Sequence, residues 1–172
     1  MIVSMILYGM NIMKNKSKMI VDEYGTKRWR LPNGNLHRED GPAIENINGC
    51  YKAWYLNGKL DRKDGPAIEC ADGEKRWWLN GKLHREDGPA IEYANGEKHW
   101  YLNGKLHRED GPAIEYVSGN KYWYLNDRLY KIQYNNKTVE RDKNFDCETC
   151  VSQIVCDIDC QRNIMWKEYD EK

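Results

Sequence analysis

Asn80-Gly81-Lys82-Leu83-His84-Arg85-Glu86-Asp87-Gly88-Pro89-Ala90-Ile91-Glu92 recurs without a change from Asn103 to Glu115. A near copy runs from Asn33 to Glu45, and a looser one, with Asp61-Arg62-Lys63-Asp64 at its centre, from Asn57 to Glu69. Identity at this range means a repeat array, which has to be recognised before any local motif is read. Trp54, Trp77, Trp100 and Trp123 mark the period as 23 residues, and Trp29 precedes Trp54 by 25. The longer first step has two sources beside turn glycines: Pro32, inserted before Asn33-Gly34, and one extra residue between Gly49 and Trp54. Surface turns absorb such insertions most easily.

Within a unit, Asn-Gly and Asp-Gly pairs punctuate runs of four to six residues rich in Trp, Tyr, Ile and Leu. Glycine takes positive φ without steric cost and Asn or Asp tolerates it, so these pairs read as tight turns between strands. Alternation along His99-Trp100-Tyr101-Leu102 puts Trp100 and Leu102 on one face and Tyr101 on the other. The Trp and Leu stripes, with Ile44, Ile68, Ile91 and Ile114, are the expected core. The opposite stripe carries Arg30, Tyr55, Trp78, Tyr101 and Tyr124. The expected fold class is all-β: an elongated, twisted antiparallel meander of hairpins with a small, partly helical C-terminal tail.

Three segments follow. Residues 1–19 read as a leader, disordered or a mis-assigned start, because Met5, Met10, Met13 and Met19 are alternative starts and repeat-like text begins near Ile20. Two other readings stay open: an element covering the first sheet edge, and membrane targeting. Met1 to Met13 is apolar, but its lysines follow the apolar run, unlike a signal peptide. A spanning helix needs about 20 residues. Residues 20–129 are the array. Residues 130–172 are a cap and tail, with a helix expected from about Cys150.

The charge balance is 27 basic against 27 acidic residues, which gives nucleic acid and anionic lipid no field to bind. Twelve Tyr and seven Trp against one Phe suit half-exposed surfaces, since both carry a polar handle. Cys147, Cys150, Cys156 and Cys160 cluster in the tail. Four thiols at that spacing can hold one structural zinc, form two disulfides, or remain free. Cys70 stands where Tyr93 and Tyr116 stand in later units and reads as a packing substitution.

His37, His84 and His107 with their carboxylates suggest a metal row, but Asp61 interrupts it. The plainer reading has Asp capping the turn before Gly-Pro and Arg paired with a carboxylate of a neighbouring unit. No nucleophile stands beside a unique His and acid, and no Gly-rich phosphate loop precedes a helix, so no enzyme activity or cofactor is expected.

The Asn-Gly-Lys turn, the Trp-bearing strand and the Ala-Asn-Gly or Ala-Asp-Gly turn resemble MORN-type repeats over about residues 20–129. The His-Arg-Glu-Asp-Gly-Pro-Ala-Ile-Glu variant is similar to repeats of giant DNA viruses and some phages, and to MORN-related antitoxin-like proteins. Here Lys98-His99-Trp100-Tyr101-Leu102 replaces the usual Tyr-x-Gly-x-Trp. The resemblance implies scaffolding, protein contact and dimerisation in the host cytoplasm or virion. The expected function is a non-enzymatic module that binds a protein partner through Tyr55, Trp78, Tyr101 and Tyr124. A self-associating virion protein and an antitoxin-like inhibitor are the alternatives.

Overall fold

The computed structural model describes residues 16–134, 137–140 and 167–170. The expectations for the leader before residue 16, for the four tail cysteines and for a helix from Cys150 lie outside these residues. Among them, every regular element is a strand. Thirteen join in one antiparallel sheet. In spatial order these are β1 (Lys18–Val21), β2 (Lys27–Arg30), β3 (Ile44–Glu45), β4 (Tyr51–Ala53), β7 (Ile68–Cys70), β8 (Lys75–Arg76), β11 (Ile91–Glu92), β12 (Lys98–His99), β15 (Ile114–Glu115), β16 (Lys121–Leu125), β17 (Arg128–Tyr134), β18 (Lys137–Glu140) and β19 (Lys167–Asp170). Three two-stranded ribbons stand apart from it: β5 (Tyr55–Leu56) with β6 (Lys59–Leu60), β9 (Trp78–Leu79) with β10 (Lys82–Leu83), and β13 (Tyr101–Leu102) with β14 (Lys105–Leu106). The sheet is a twisted meander of hairpin repeats with open ends at β1 and β19, not a closed barrel.

Each of the three middle units therefore contributes two short sheet strands and one ribbon, and the first unit has a single bridge, Arg30 with Leu36, in the ribbon's place. The expected single strand through Trp is broken at Trp54, Trp77 and Trp100. There the Trp N–H donates to the carbonyl of Ala67, Ala90 or Ala113 at 2.8 Å, and the Trp carbonyl accepts the N–H of Asp61, His84 or His107 at 3.1 Å. One residue thus bonds to two different segments, and the chain leaves the sheet for the ribbon. In the last unit, which lacks the Arg-Glu-Asp-Gly-Pro excursion, β16 runs unbroken through Trp123, with a register shift between Trp123 and Tyr124; in the first unit β2 also runs through Trp29.

Two turn types close the hairpins. At the ribbon tips, Asn57-Gly58, Asn80-Gly81 and Asn103-Gly104 have positive φ at both residues, the type I′ turn that matches strand twist. Asn126-Asp127 keeps this conformation without glycine, and Asp127 Oδ1 accepts the Leu106 N–H at 2.7 Å. At the opposite turns, Tyr93 and Glu97 flank Asn95-Gly96, with the Tyr93 N–H on the Glu97 carbonyl and the Gly96 N–H on the Tyr93 carbonyl, both 2.9 Å.

Register sets the faces. One row across the sheet alternates charge: Lys52, Glu69, Lys75, Glu92, Lys98, Glu115 and Lys121 are successive cross-strand partners. Such opposite-charge pairs are worth about 0.2–1 kcal/mol each. The next row, on the other face, places Ile68, Ile91 and Ile114 between Ala53, Arg76, His99 and Tyr122. The core is thinner than expected. Ile68, Ile91 and Ile114 are buried, but the fully enclosed residues are Ala43, Ala53, Ala67, Ala90 and Ala113. The Trp and Leu stripes are half-buried.

Candidate functional site

The repeated charged motif is consumed inside its own unit. Arg85 lies over the Trp77 ring at 4.0 Å, and Arg62 and Arg108 lie over Trp54 and Trp100 at 3.9 and 4.1 Å. The Arg85 guanidinium donates to Asp87 at 3.0 Å, to the Pro89 carbonyl at 3.2 Å and to Glu92 at 3.0 Å. Arg62 and Arg108 repeat all three contacts. These carboxylates belong to the arginine's own unit, not to a neighbour, because the Asp-Gly-Pro turn folds the loop back over the Trp. The guanidinium beside Asp40, Asp87 and Asp110 holds each carboxyl below its usual pKa. Their contribution to stability is present above the ordinary carboxylate range and is lost as pH falls through the lowered values. In the last unit Lys131 takes the guanidinium's place, 5.0 Å above Trp123.

The histidines join one unit to the next. The Asn57 N–H donates to His37 Nδ1 at 3.1 Å, Asn103 to His84 at 3.2 Å and Asn126 to His107 at 3.3 Å. At the odd unit Asp61 Oδ2 accepts from Asn80 at 3.1 Å, so Asp and His serve one purpose as acceptors. With Nδ1 engaged, the histidine row is a set of junctions. Among the described residues no three His, Cys, Asp or Glu converge to hold a metal. His84→Asp should therefore preserve stability, whereas His84→Ala should cost about 1 kcal/mol. Urea unfolding of both variants checks this, and equal losses would contradict it.

A cleft of about 820 Å³ opens between the Arg62–Pro66 loop and the next unit's Trp77, Leu79 and His84–Asp87. Its arginines are already engaged in the stations just described.

The aromatic stripe is partly covered. Tyr55, Trp78, Tyr101 and Tyr124 sit on the ribbons and on β16, each half-buried. A second row joins them that the sequence reading did not single out: Tyr51, Tyr93, His99, Tyr116 and Tyr122. Tyr93, His99, Tyr116 and Tyr122 form a chain of edge-to-face contacts with centroids 5.1, 6.1 and 5.5 Å apart. His99 Nε2 meets Glu97 at 2.8 Å, where the preceding unit has Arg76 on Glu74. Tyr93 and Tyr116 follow the buried Ile91 and Ile114 by two residues, which places them on the same sheet face. Their signal in the sequence was their position flanking the Asn95-Gly96 and Ser118-Gly119 turns, present in two units only.

Burial raises the phenol pKa of Tyr51, Tyr55, Tyr101, Tyr116 and Tyr124 above 10.0, with neighbouring phenols adding to it: Tyr93, Tyr124 and Tyr116 around Tyr101, and Tyr55 beside Tyr51. The unfolded chain ionises these groups first. Stability should be intact below about pH 10 and fall as pH rises through the raised values. Phenolate absorbance should show a group of tyrosines titrating late and together with unfolding; one ordinary titration curve would contradict the packing of this face.

No helix among the described residues is long and apolar enough to cross a membrane. No family model matches the chain, and no curated protein matches it.

Proposed function

We propose that this chain is a non-enzymatic repeat scaffold that binds a protein partner through the tyrosine face. One observation carries the reading: the motif's arginines are satisfied within their own units and its histidines at the unit junctions, while Tyr93, Tyr101, Tyr116, Tyr122 and Tyr124 gather on one surface. Tyrosine supplies large, rigid contact area with a polar tip, and aromatic residues at the centre of an interface dominate binding energy. The residues shared with MORN-type repeats support the same reading and favour a viral origin, with a place in the host cytoplasm or the virion. Self-assembly and antitoxin-like inhibition of one enzyme use the same architecture and differ in the partner.

Affinity capture from the producing cells, followed by mass spectrometry and by sedimentation at rising concentration, tests it. The expected result is one enriched protein, held at about 0.5 M salt because an aromatic contact is little screened, and a sedimentation coefficient independent of concentration. Steady growth of the sedimenting species with no enriched protein would replace this reading with the assembly one.

A further inference from the structure

Of four unit-to-unit junctions, three share one construction and one departs from it at two positions together. At three of them a histidine meets a tyrosine: His37 with Tyr55, His84 with Tyr101 and His107 with Tyr124. They are brought together because the N–H of the following arginine donates to the tyrosine carbonyl at 3.0–3.1 Å. At the remaining junction the same places hold Asp61 and Trp78, joined by Arg62 N–H to the Trp78 carbonyl at 3.1 Å. Asp61 Oδ2 does the histidine's work on Asn80, which leaves Oδ1 over. Among the described residues the buried side-chain polar atoms without a partner are Asp61 Oδ1 and the Trp78 indole Nε1. One can only accept and the other can only donate.

We infer that Asp61 and Trp78 are a matched pair, the indole N–H and the free carboxylate oxygen being joined through one buried water, and that this pair fixes the order of the units. Near-identical units have an inherent hazard: a ribbon from another position, or from a second copy, presents almost the same surface and can exchange into the wrong junction. A tyrosine ribbon docked beside Asp61 offers no indole N–H. A buried acceptor without a donor is costly, so the wrong order is disfavoured at this one place. The inference is independent of what the tyrosine face binds.

The test compares D61H, W78Y and the double variant, which rebuilds the junction used elsewhere in the array. In the wild type the Trp78 indole N–H resonance is assigned by its loss in W78Y. In D61H it should shift and exchange about tenfold faster, the factor worth roughly one hydrogen bond. Each single variant should lower the unfolding midpoint. The double variant should lose less than either single one, the signature of coupling between contacting residues. Refolded at high concentration, the double variant should yield more exchanged dimer than the wild type. Should D61H not fold, D61N carries the same indole test, since its amide keeps an acceptor for the Asn80 N–H and puts an NH2 donor where the second carboxylate oxygen stood. Additive midpoint losses or an unmoved indole resonance overturn the pairing. Coupling without extra dimer overturns its role in unit order.

Discussion

Replacing Trp100 or Arg108 with alanine is expected to lower stability by about 3 kcal/mol in each case, and replacing both by little more. Removal of a fully buried Trp costs about 3–5 kcal/mol, and Trp100 is half-buried, which brings the figure to the lower end. Arg108 covers the ring at 4.1 Å while donating to Asp110 at 2.9 Å, Pro112 at 3.2 Å and Glu115 at 3.1 Å. Without the guanidinium, the partly covered Glu115 and the Pro112 carbonyl lose their donor, which costs more than the pair was worth. Without the ring, the guanidinium loses its platform, so the two losses overlap. Arg108→Lys should recover only part, because an ammonium cannot stack and bridge at once. The last unit agrees: Lys131 replaces arginine over Trp123 only where the Pro loop is absent. Denaturant unfolding of the four variants measures this. A loss below about 0.5 kcal/mol for Arg108→Ala, the size of an exposed ion pair, would reduce the station to a surface contact.

Gly111→Ala is expected to destabilise by about 2 kcal/mol, against the ordinary rule. Gly111 does not occupy the left-handed region, and alanine at such a site usually stabilises by about 0.4–1 kcal/mol through the unfolded state. Here an added Cβ would lie 2.7 Å from Arg108 Cζ and 2.8 Å from its Nε. The guanidinium ends a flexible side chain, but it is held by a ring, two carboxylates and a carbonyl, so moving it aside costs these contacts. Combining the two changes isolates the cause: in an Arg108→Ala background Gly111→Ala should be harmless or slightly stabilising. Gly96→Ala is a control of another kind. Its φ is +93° with open space around it, so only the backbone resists, at about 1 kcal/mol. Equal effects of Gly111→Ala with and without Arg108 would refute the contact.

Turns and period were legible in the sequence because they depend on neighbours in the chain. Asn80-Gly81 specifies its turn whatever surrounds it, and Ile91 is buried as expected, though it stands opposite His99 and not in the Trp100 stripe. The break at Trp100 was hidden, since it depends on bonds to Ala113 and His107 through the backbone, which carries no side-chain signature. Ala90 and Ala113 were overlooked as core because a methyl group gives little hydrophobic signal, yet they are fully enclosed where the chain leaves no room for more. The interchange of His84 with Asp61 looked like an interruption when read as chemistry and became an equivalence once both were seen to accept one N–H. Half of the aromatic face, Tyr55 through Tyr124, could be read from its period. Tyr93, His99, Tyr116 and Tyr122 could not, because earlier units put Cys70 and Arg76 in the corresponding places.

The central claim is that the recurring charged motif builds the scaffold and the tyrosine face does the binding. Partner capture by two variants, with unfolding midpoints taken on the same samples, tests it most directly. Tyr101→Ser with Tyr116→Ser alters the face; Glu86→Gln with Glu109→Gln alters two exposed acids of the motif that the stacked arginines do not bond. The account predicts that the tyrosine variant remains folded at the capture temperature and loses the partner, while the glutamine variant retains it. Partner loss in the glutamine variant, with capture intact in the tyrosine variant, would contradict it and move the interface to the loops.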